Sequence, residues 1–326
     1  MKASDLKGLF AIIPTPATPD ANKLGALNTV ALDETERLVS SLIRDGASGL
    51  IILGTTGECA TLSNADYRTF VDCICKTVAR RIPVFAGATA LGGHEVHARL
   101  TFVQQQGADG TLLGLPMWQP CTTDMAVKYY SEVAEAFPRL PVMVYANARA
   151  FRFAFPTEFW ERISTLAPTV IAAKSSHSRN LQANQTATGN RIHFMPPDMI
   201  VADFAKLSPA TTTACWATAA AMGPEPCVSI IDAVLSGDAE RSRFLSDRIA
   251  WANKPLETIL EDPEVFASYN IQVEKTRIAE AGYCVPGPSR PPYDVFPDKF
   301  REPSVECGRR WRELRAELRA PAIAAK

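Results

Sequence analysis

Eight short apolar runs, separated by helix-like segments along the first two-thirds of the chain, leave this sequence few architectures. The runs are Leu9–Ile13, Gly49–Leu53, Pro83–Gly87, Thr111–Leu115, Val142–Tyr145, Val170–Ala173, Ile192–Met195 and Thr211–Cys215. Each is brief and continuously apolar, as expected of parallel strands buried on both faces. Amphipathic segments lie near 28–45, 64–80, 94–106, 123–137, 157–166, 178–188, 198–207 and 225–236. Eight parallel strands with helices between them close naturally into a (β/α)8 TIM barrel. The alternative is an open doubly wound sheet, for which eight units is the less usual size. Ser63 followed by Asp66 reads as a capping box, and Pro156-Thr157 as a turn and cap.

After Gly237 the strand pattern stops. Residues 238–260, 264–281 and roughly 303–319 read as helices, interrupted by Glu261-Asp262-Pro263 and by the Pro-rich stretch Pro286–Pro297. The expected organisation is a catalytic barrel over residues 1–237 and a C-terminal helical region over 238–326. In the last helix Trp311, Leu314 and Leu318 share one face while arginines alternate with Glu313 and Glu317. That is the pattern of a packed helix with a solvated side, rather than of a nucleic-acid arm.

Charge and composition exclude several functions. A formal net charge of -1 over 326 residues offers no general attraction to nucleic acid or anionic membrane. The longest apolar stretch, around Ala214–Met222, is well short of the ~18 residues a membrane span needs. Met1-Lys2-Ala3-Ser4-Asp5 leads into a strand-like run without signal-peptide architecture, so a cytoplasmic location is expected. The eight cysteines form no CxxC pair, and His94, His97, His177 and His193 form no cluster with them. Buried thiols are expected, with no metal site.

A barrel enzyme works at the C-terminal ends of its strands. Lys174 ends the sixth run, Val170-Ile171-Ala172-Ala173. A lysine turned into an apolar barrel mouth is desolvated and retains neutral amine to attack a ketone. A lysine snorkelling to solvent from the strand end is the other reading. Gly54-Thr55-Thr56-Gly57-Glu58 follows the second run, and its backbone N–H groups and hydroxyls could receive a carboxylate. It lacks the spacing and lysine of a phosphate-binding P-loop, and an ordinary strand-to-helix turn would also fit. Tyr145, at the end of the fifth run, could shuttle a proton or plug the barrel. Trp118 and Trp216 read as core plugs when taken alone.

Together these features are more specific. Phe10-Ala11-Ile12-Ile13-Pro14-Thr15-Pro16, the Gly54–Glu58 loop running on to Thr61-Leu62-Ser63, a strand-five tyrosine and a strand-six lysine resemble the dihydrodipicolinate synthase / N-acetylneuraminate lyase superfamily. The resemblance spans about residues 7–300. It implies a TIM barrel with C-terminal helices, usually a homotetramer. It also implies a Schiff base at Lys174, a catalytic Tyr145, and carboxylate recognition by Thr55 and Thr56. The chain departs from the synthases at Tyr145-Ala146-Asn147-Ala148, at Ser175-Ser176 after the lysine, and at Met117-Trp118, where they carry a tyrosine pair. With Phe151-Arg152-Phe153, Trp216, Gly223-Pro224-Glu225-Pro226 and Gly287–Pro292, these departures resemble the trans-o-hydroxybenzylidenepyruvate hydratase-aldolase branch.

That branch implies a carbon-carbon lyase acting on a small 2-keto acid, with the imine as electron sink and no cofactor. Asn147 would help Tyr145 hold the water, and Trp118, Trp216 and Phe151 would wall the aromatic ring. Other readings stay open: a 4-hydroxy-tetrahydrodipicolinate synthase, a sialic-acid-type lyase, a keto-acid dehydratase, or a non-catalytic keto-acid sensor.

Overall fold

The computed structural model describes residues 1–319. Eight strands, β1 (Gly8–Ile12), β2 (Gly49–Ile52), β3 (Val84–Gly87), β4 (Gly110–Leu113), β5 (Val142–Tyr145), β6 (Val170–Lys174), β7 (His193–Met195) and β8 (Ala214–Ala217), are all parallel. Their spatial order is β7-β6-β5-β4-β3-β2-β1-β8. A single bridge, Pro197 to Trp216, with the Trp216 N–H donating to Pro196 O at 2.9 Å, makes the remaining seam. The fold is therefore a nearly closed TIM barrel rather than an open sheet.

The helices between strands are α1 (Leu32–Arg44), α2 (Asn64–Val78), α3 (Gly93–Gln105), α4 (Thr123–Ala136), α5 (Ala148–Phe151), α6 (Thr157–Leu166), α7 (Leu181–Thr188) and α8 (Val201–Leu207). α9 (Glu225–Ser236), α10 (Ala239–Asn253), α11 (Glu257–Glu261), α12 (Pro263–Ala281) and α13 (Asp298–Arg319) follow. The single-turn α5 escaped the periodicity. Ser63 caps α2 by accepting from the Asp66 N–H, but the Asp66 carboxylate does not close a capping box. It is buried and accepts instead from the N–H and hydroxyl of Thr29.

One boundary differs from the sequence reading. β8 begins at Ala214, because Thr211 and Thr212 bond back to Ser208 in a turn. Trp216 is consequently inside β8 rather than beyond it. The C-terminal helices pack against the barrel. Trp311 and Leu314 of α13 join the core formed by β1, β2, β8 and α9. Residues 286–290 reach across to the segments after β1 and β2, where Pro286 O accepts from the Ala17 N–H and Glu58 from the Arg290 N–H.

Candidate active site

β5 and β6 are neighbours, and beyond a register irregularity at Val142/Met143 their last residues, Tyr145 and Lys174, lie opposite each other. Val170–Ala173 is buried, so Lys174 is carried into the barrel mouth by an apolar strand. Its Nζ lies 3.4 Å from the centroid of the Trp216 ring and 5.0 Å from that of Tyr145. Burial among these groups pulls the ammonium pKa down to about 7, against a weaker opposing pull from Glu274. A surface lysine does not have this environment, so the snorkelling alternative fails.

The Tyr145 hydroxyl is 2.9 Å from Thr55 Oγ1 and also receives Asn147 Nδ2 at 3.4 Å. Asn147 caps α5 by accepting from the Ala150 N–H, which fixes its amide. The same helical turn brings Phe151 edge-on to Tyr145 at 5.3 Å between ring centroids. That packing needs Gly114 after β4, where a Cβ would collide with the Phe151 ring.

The Gly54–Glu58 loop is a tight turn. Leu53 and Glu58 both have positive φ (60° and 54°), an uncommon conformation for residues with side chains. A Cβ on Gly57 would come within 2.7 Å of the Leu53 nitrogen, so this position has room for glycine alone. Thr15, from the Pro14-Thr15-Pro16 segment, donates its hydroxyl to Gly57 O at 2.8 Å. Thr55 faces Tyr145, whereas Thr56 is buried in the turn.

The most informative residue that sequence reasoning missed is Glu58. Its side chain is wholly buried and pairs with Lys275 of α12 at 2.7 Å and with Arg290 at 2.6 Å. Arg290 also donates its backbone N–H to Glu58 and its guanidinium to Thr29 and to Thr15 O. Lys275 donates as well to Pro288 O. Burial lowers the Lys275 pKa, and Glu58 resists that fall. A glutamate closing an otherwise small and polar turn was the available signal. Its partners lie more than 200 residues away, where no local pattern marks them.

Beside Thr55 and Tyr145 opens a cavity of about 500 Å³. Leu53, Met117 and Phe151 line it from the barrel, and Ile271, Gln272 and Tyr293 from the C-terminal region. Lys174 is not itself part of that lining, and its Nζ lies 5.0 Å from the centroid of the Tyr145 ring that is. Two expected wall residues lie elsewhere. Trp118 is 77% exposed and outside the cavity, because β4 ends at Leu113 and a loop carries it outward; Met117 takes the inner position. Trp216 packs on Lys174, donating its indole N–H to Ser175 O and Met195 O. Arg149 and Arg152 are committed to main-chain carbonyls, Pro263 O for the first, Met117 O and Trp118 O for the second. Among the described residues no group of three or more His, Cys, Asp or Glu is arranged to hold a metal ion.

The chain resembles known proteins along nearly its whole length. The chain is 36% identical over 321 residues to a trans-o-hydroxybenzylidenepyruvate hydratase-aldolase of Pseudomonas putida, covering 97% of this chain and 96% of that one. It is 34% identical to a trans-2'-carboxybenzalpyruvate hydratase-aldolase of Nocardioides sp., covering 96% and 95%. A solved structure described as PhdJ bound to substrate intermediate superposes with a TM-score of 0.92 at 33% identity, covering 98% of this chain and 99% of that one. The model of the dihydrodipicolinate synthetase family matches residues 6–299, and the chain belongs to that family.

Proposed function

We propose that this protein is a Schiff-base hydratase-aldolase that cleaves an aryl-substituted benzylidenepyruvate to an aromatic aldehyde and pyruvate. The observation that carries the reading is Lys174, an amine with its pKa pulled down to about 7, opposite a tyrosine whose hydroxyl is held by Thr55 and Asn147. The near-full-length similarity to aryl-pyruvate hydratase-aldolases supports the choice of substrate class.

In this mechanism the neutral Lys174 amine adds to the keto carbon, and loss of water leaves a protonated imine. The imine draws electrons through the conjugated double bond, so water adds at the aryl-bearing carbon and a proton at its neighbour. Tyr145 and Asn147 hold that water and relay its proton. The new hydroxyl then loses its proton as the carbon–carbon bond breaks, giving the aldehyde and a pyruvate enamine. Protonation of the enamine and hydrolysis of the imine release pyruvate and restore Lys174. One water is consumed overall. Thr55 and Thr56 hold the pyruvyl carboxylate, and Phe151, with Met117 in place of Trp118, contributes apolar wall for the ring.

A polar aldehyde such as aspartate semialdehyde would need a free cation near the reacting centre, and both nearby arginines are committed to carbonyls. The test compares release of aromatic aldehyde from 2-hydroxybenzylidenepyruvate with condensation of pyruvate and aspartate semialdehyde. Faster turnover of the semialdehyde rejects the aryl-pyruvate reading and leaves the Schiff base standing. A cytoplasmic homotetramer belongs to the same proposal on family grounds, and light scattering at four times the 35.5 kDa chain mass is its check.

A further inference from the structure

We infer that Arg277 is a positioning residue for Lys174: it neutralises Glu274, the carboxylate whose field reaches the reacting amine, and ties α12 to the end of β8, so that the amine is not held as an ammonium. This rests on the Schiff-base reading above and adds to it a residue pair from the C-terminal region. Arg277 and Glu274 lie one turn apart on α12, and each is 5% exposed. The guanidinium donates to both carboxylate oxygens, through Nη2 at 2.8 Å and through Nε at 3.0 Å. It also donates through Nη1 to Asn253 Oδ1 of α10 and through Nη2 to Thr218 Oγ1, each at 2.9 Å. Thr218 is the first residue after β8, the strand whose Trp216 ring lies against the Lys174 amine. Arg277 thus joins α12 and α10 to the strand that helps enclose the nucleophile.

Packing alone does not call for such a pair. Taking two charges out of water opposes their mutual attraction, so apolar side chains of the same volume would hold α12 as well. What the pair supplies is a field. Burial pulls the Lys174 pKa down to about 7, and Glu274 pulls it the other way. With the guanidinium on both of its oxygens, Glu274 remains the weaker influence and leaves free amine at neutral pH. Burial also works against the charge of Arg277, and Glu274 more than restores it, so the two ions hold each other in place.

The other groups around the pair have partners of their own. Asp198, after β7, also feels Arg277; burial pushes its carboxyl up to about 6, against the pull of the Cys227 bond and of Arg277. Cys227 Sγ of α9 donates to that carboxyl at 3.2 Å. The Cys307 thiol of α13 lies 3.9 Å from Arg277 Nη1, and burial raises its pKa and keeps its proton on. Tyr145 and Trp216 present rings to the amine. Among the described residues Glu274 is therefore the carboxylate that acts on Lys174, and Arg277 is the cation that controls it.

The experiment follows adduct formation on the whole protein by intact mass, with pyruvate and cyanoborohydride, across a range of pH. The midpoint of the acid limb reports when the amine becomes free. Glu274→Gln removes the carboxylate and leaves the guanidinium, so the midpoint should move to lower pH. Arg277→Met leaves Glu274 with the Lys174 ammonium as its counter-charge, so the midpoint should move to higher pH. Each movement is expected to be about one pH unit, and the double variant should return close to the parent. Loosened packing cannot give this pattern, because water entering the site would raise the midpoint in all three variants. A midpoint in Glu274→Gln that stays in place or rises overturns the inference, and that variant decides alone should Arg277→Met not fold. A midpoint in Arg277→Met that stays in place or falls overturns it equally. In both cases the parent still forms its adduct and the Schiff-base reading survives, whereas a parent that forms no adduct overturns the two together.

Discussion

Lys174 Nζ lies against the face of Trp216, 3.4 Å from the ring centroid. Burial pulls its pKa down to about 7, against a weaker opposing pull from Glu274, and the indole is part of what encloses it. Trp216→Ala should therefore readmit water and raise the pKa. The acid limb of kcat/KM should move toward alkaline pH, with roughly 10-fold lower activity at pH 7 for each unit of movement. A limb that stays near pH 7 in this variant would show that the indole does not set the amine's charge.

The same displacement has a stability consequence of definite sign. The unfolded chain keeps the lysine proton up to about pH 10.4, whereas the folded chain releases it near 7. Between these values the unfolded state binds more protons, so stability rises with pH. The penalty is complete below about pH 7 and absent above about 10.5. Lys174→Met should be inactive yet more stable than the parent at pH 7, by on the order of 1–4 kcal/mol, with the advantage fading toward pH 10. Denaturant titrations at three pH values read this directly, and a variant less stable at pH 7 would contradict it.

Tyr145→Phe removes a hydroxyl bonded to Thr55 and Asn147 but keeps the ring against Phe151. Turnover should fall by ~10²–10⁴ while the unfolding midpoint changes little. Asn147→Ala should slow water addition more than imine formation, although part of any stability loss will come from the lost α5 cap. Full activity in Tyr145→Phe would remove the phenol from the proton relay.

Glu58 balances two buried cations, so Glu58→Gln leaves Lys275 and Arg290 short of a counter-charge. The expected cost is ~3–5 kcal/mol in chemical denaturation, with a raised KM for pyruvyl substrates as the Gly54–Glu58 turn loosens. A loss below about 1 kcal/mol would mean the two cations find other partners.

The barrel was legible because parallel strands buried on both faces must be written as apolar runs, and eight of them with helices between suit a closed barrel better than an open doubly wound sheet. The placement of Lys174 and Tyr145 at the barrel mouth was legible for a related reason: each stands at the end of such a run. The errors arose where that logic was stretched. Trp118 stands five residues beyond the end of β4, too far for strand geometry to aim it inward. Thr211–Thr213 looked strand-like from their β-branched side chains, but Thr211 and Thr212 bond back to Ser208 and delay β8 to Ala214. Lys275 and Arg290 sit in a helix and a Pro-rich segment whose local patterns report packing alone. Their place at the barrel mouth depends on contacts across more than 200 residues, which periodicity cannot carry.

The central claim is that Lys174 is the imine-forming amine. The most direct measurement is intact-mass analysis after incubation with pyruvate and borohydride, followed by mapping of the modified peptide. The account predicts one pyruvyl-derived group per chain, located on Lys174 and absent from Lys174→Ala. Modification of a different lysine with Lys174 untouched, or an adduct that persists in Lys174→Ala, would contradict it.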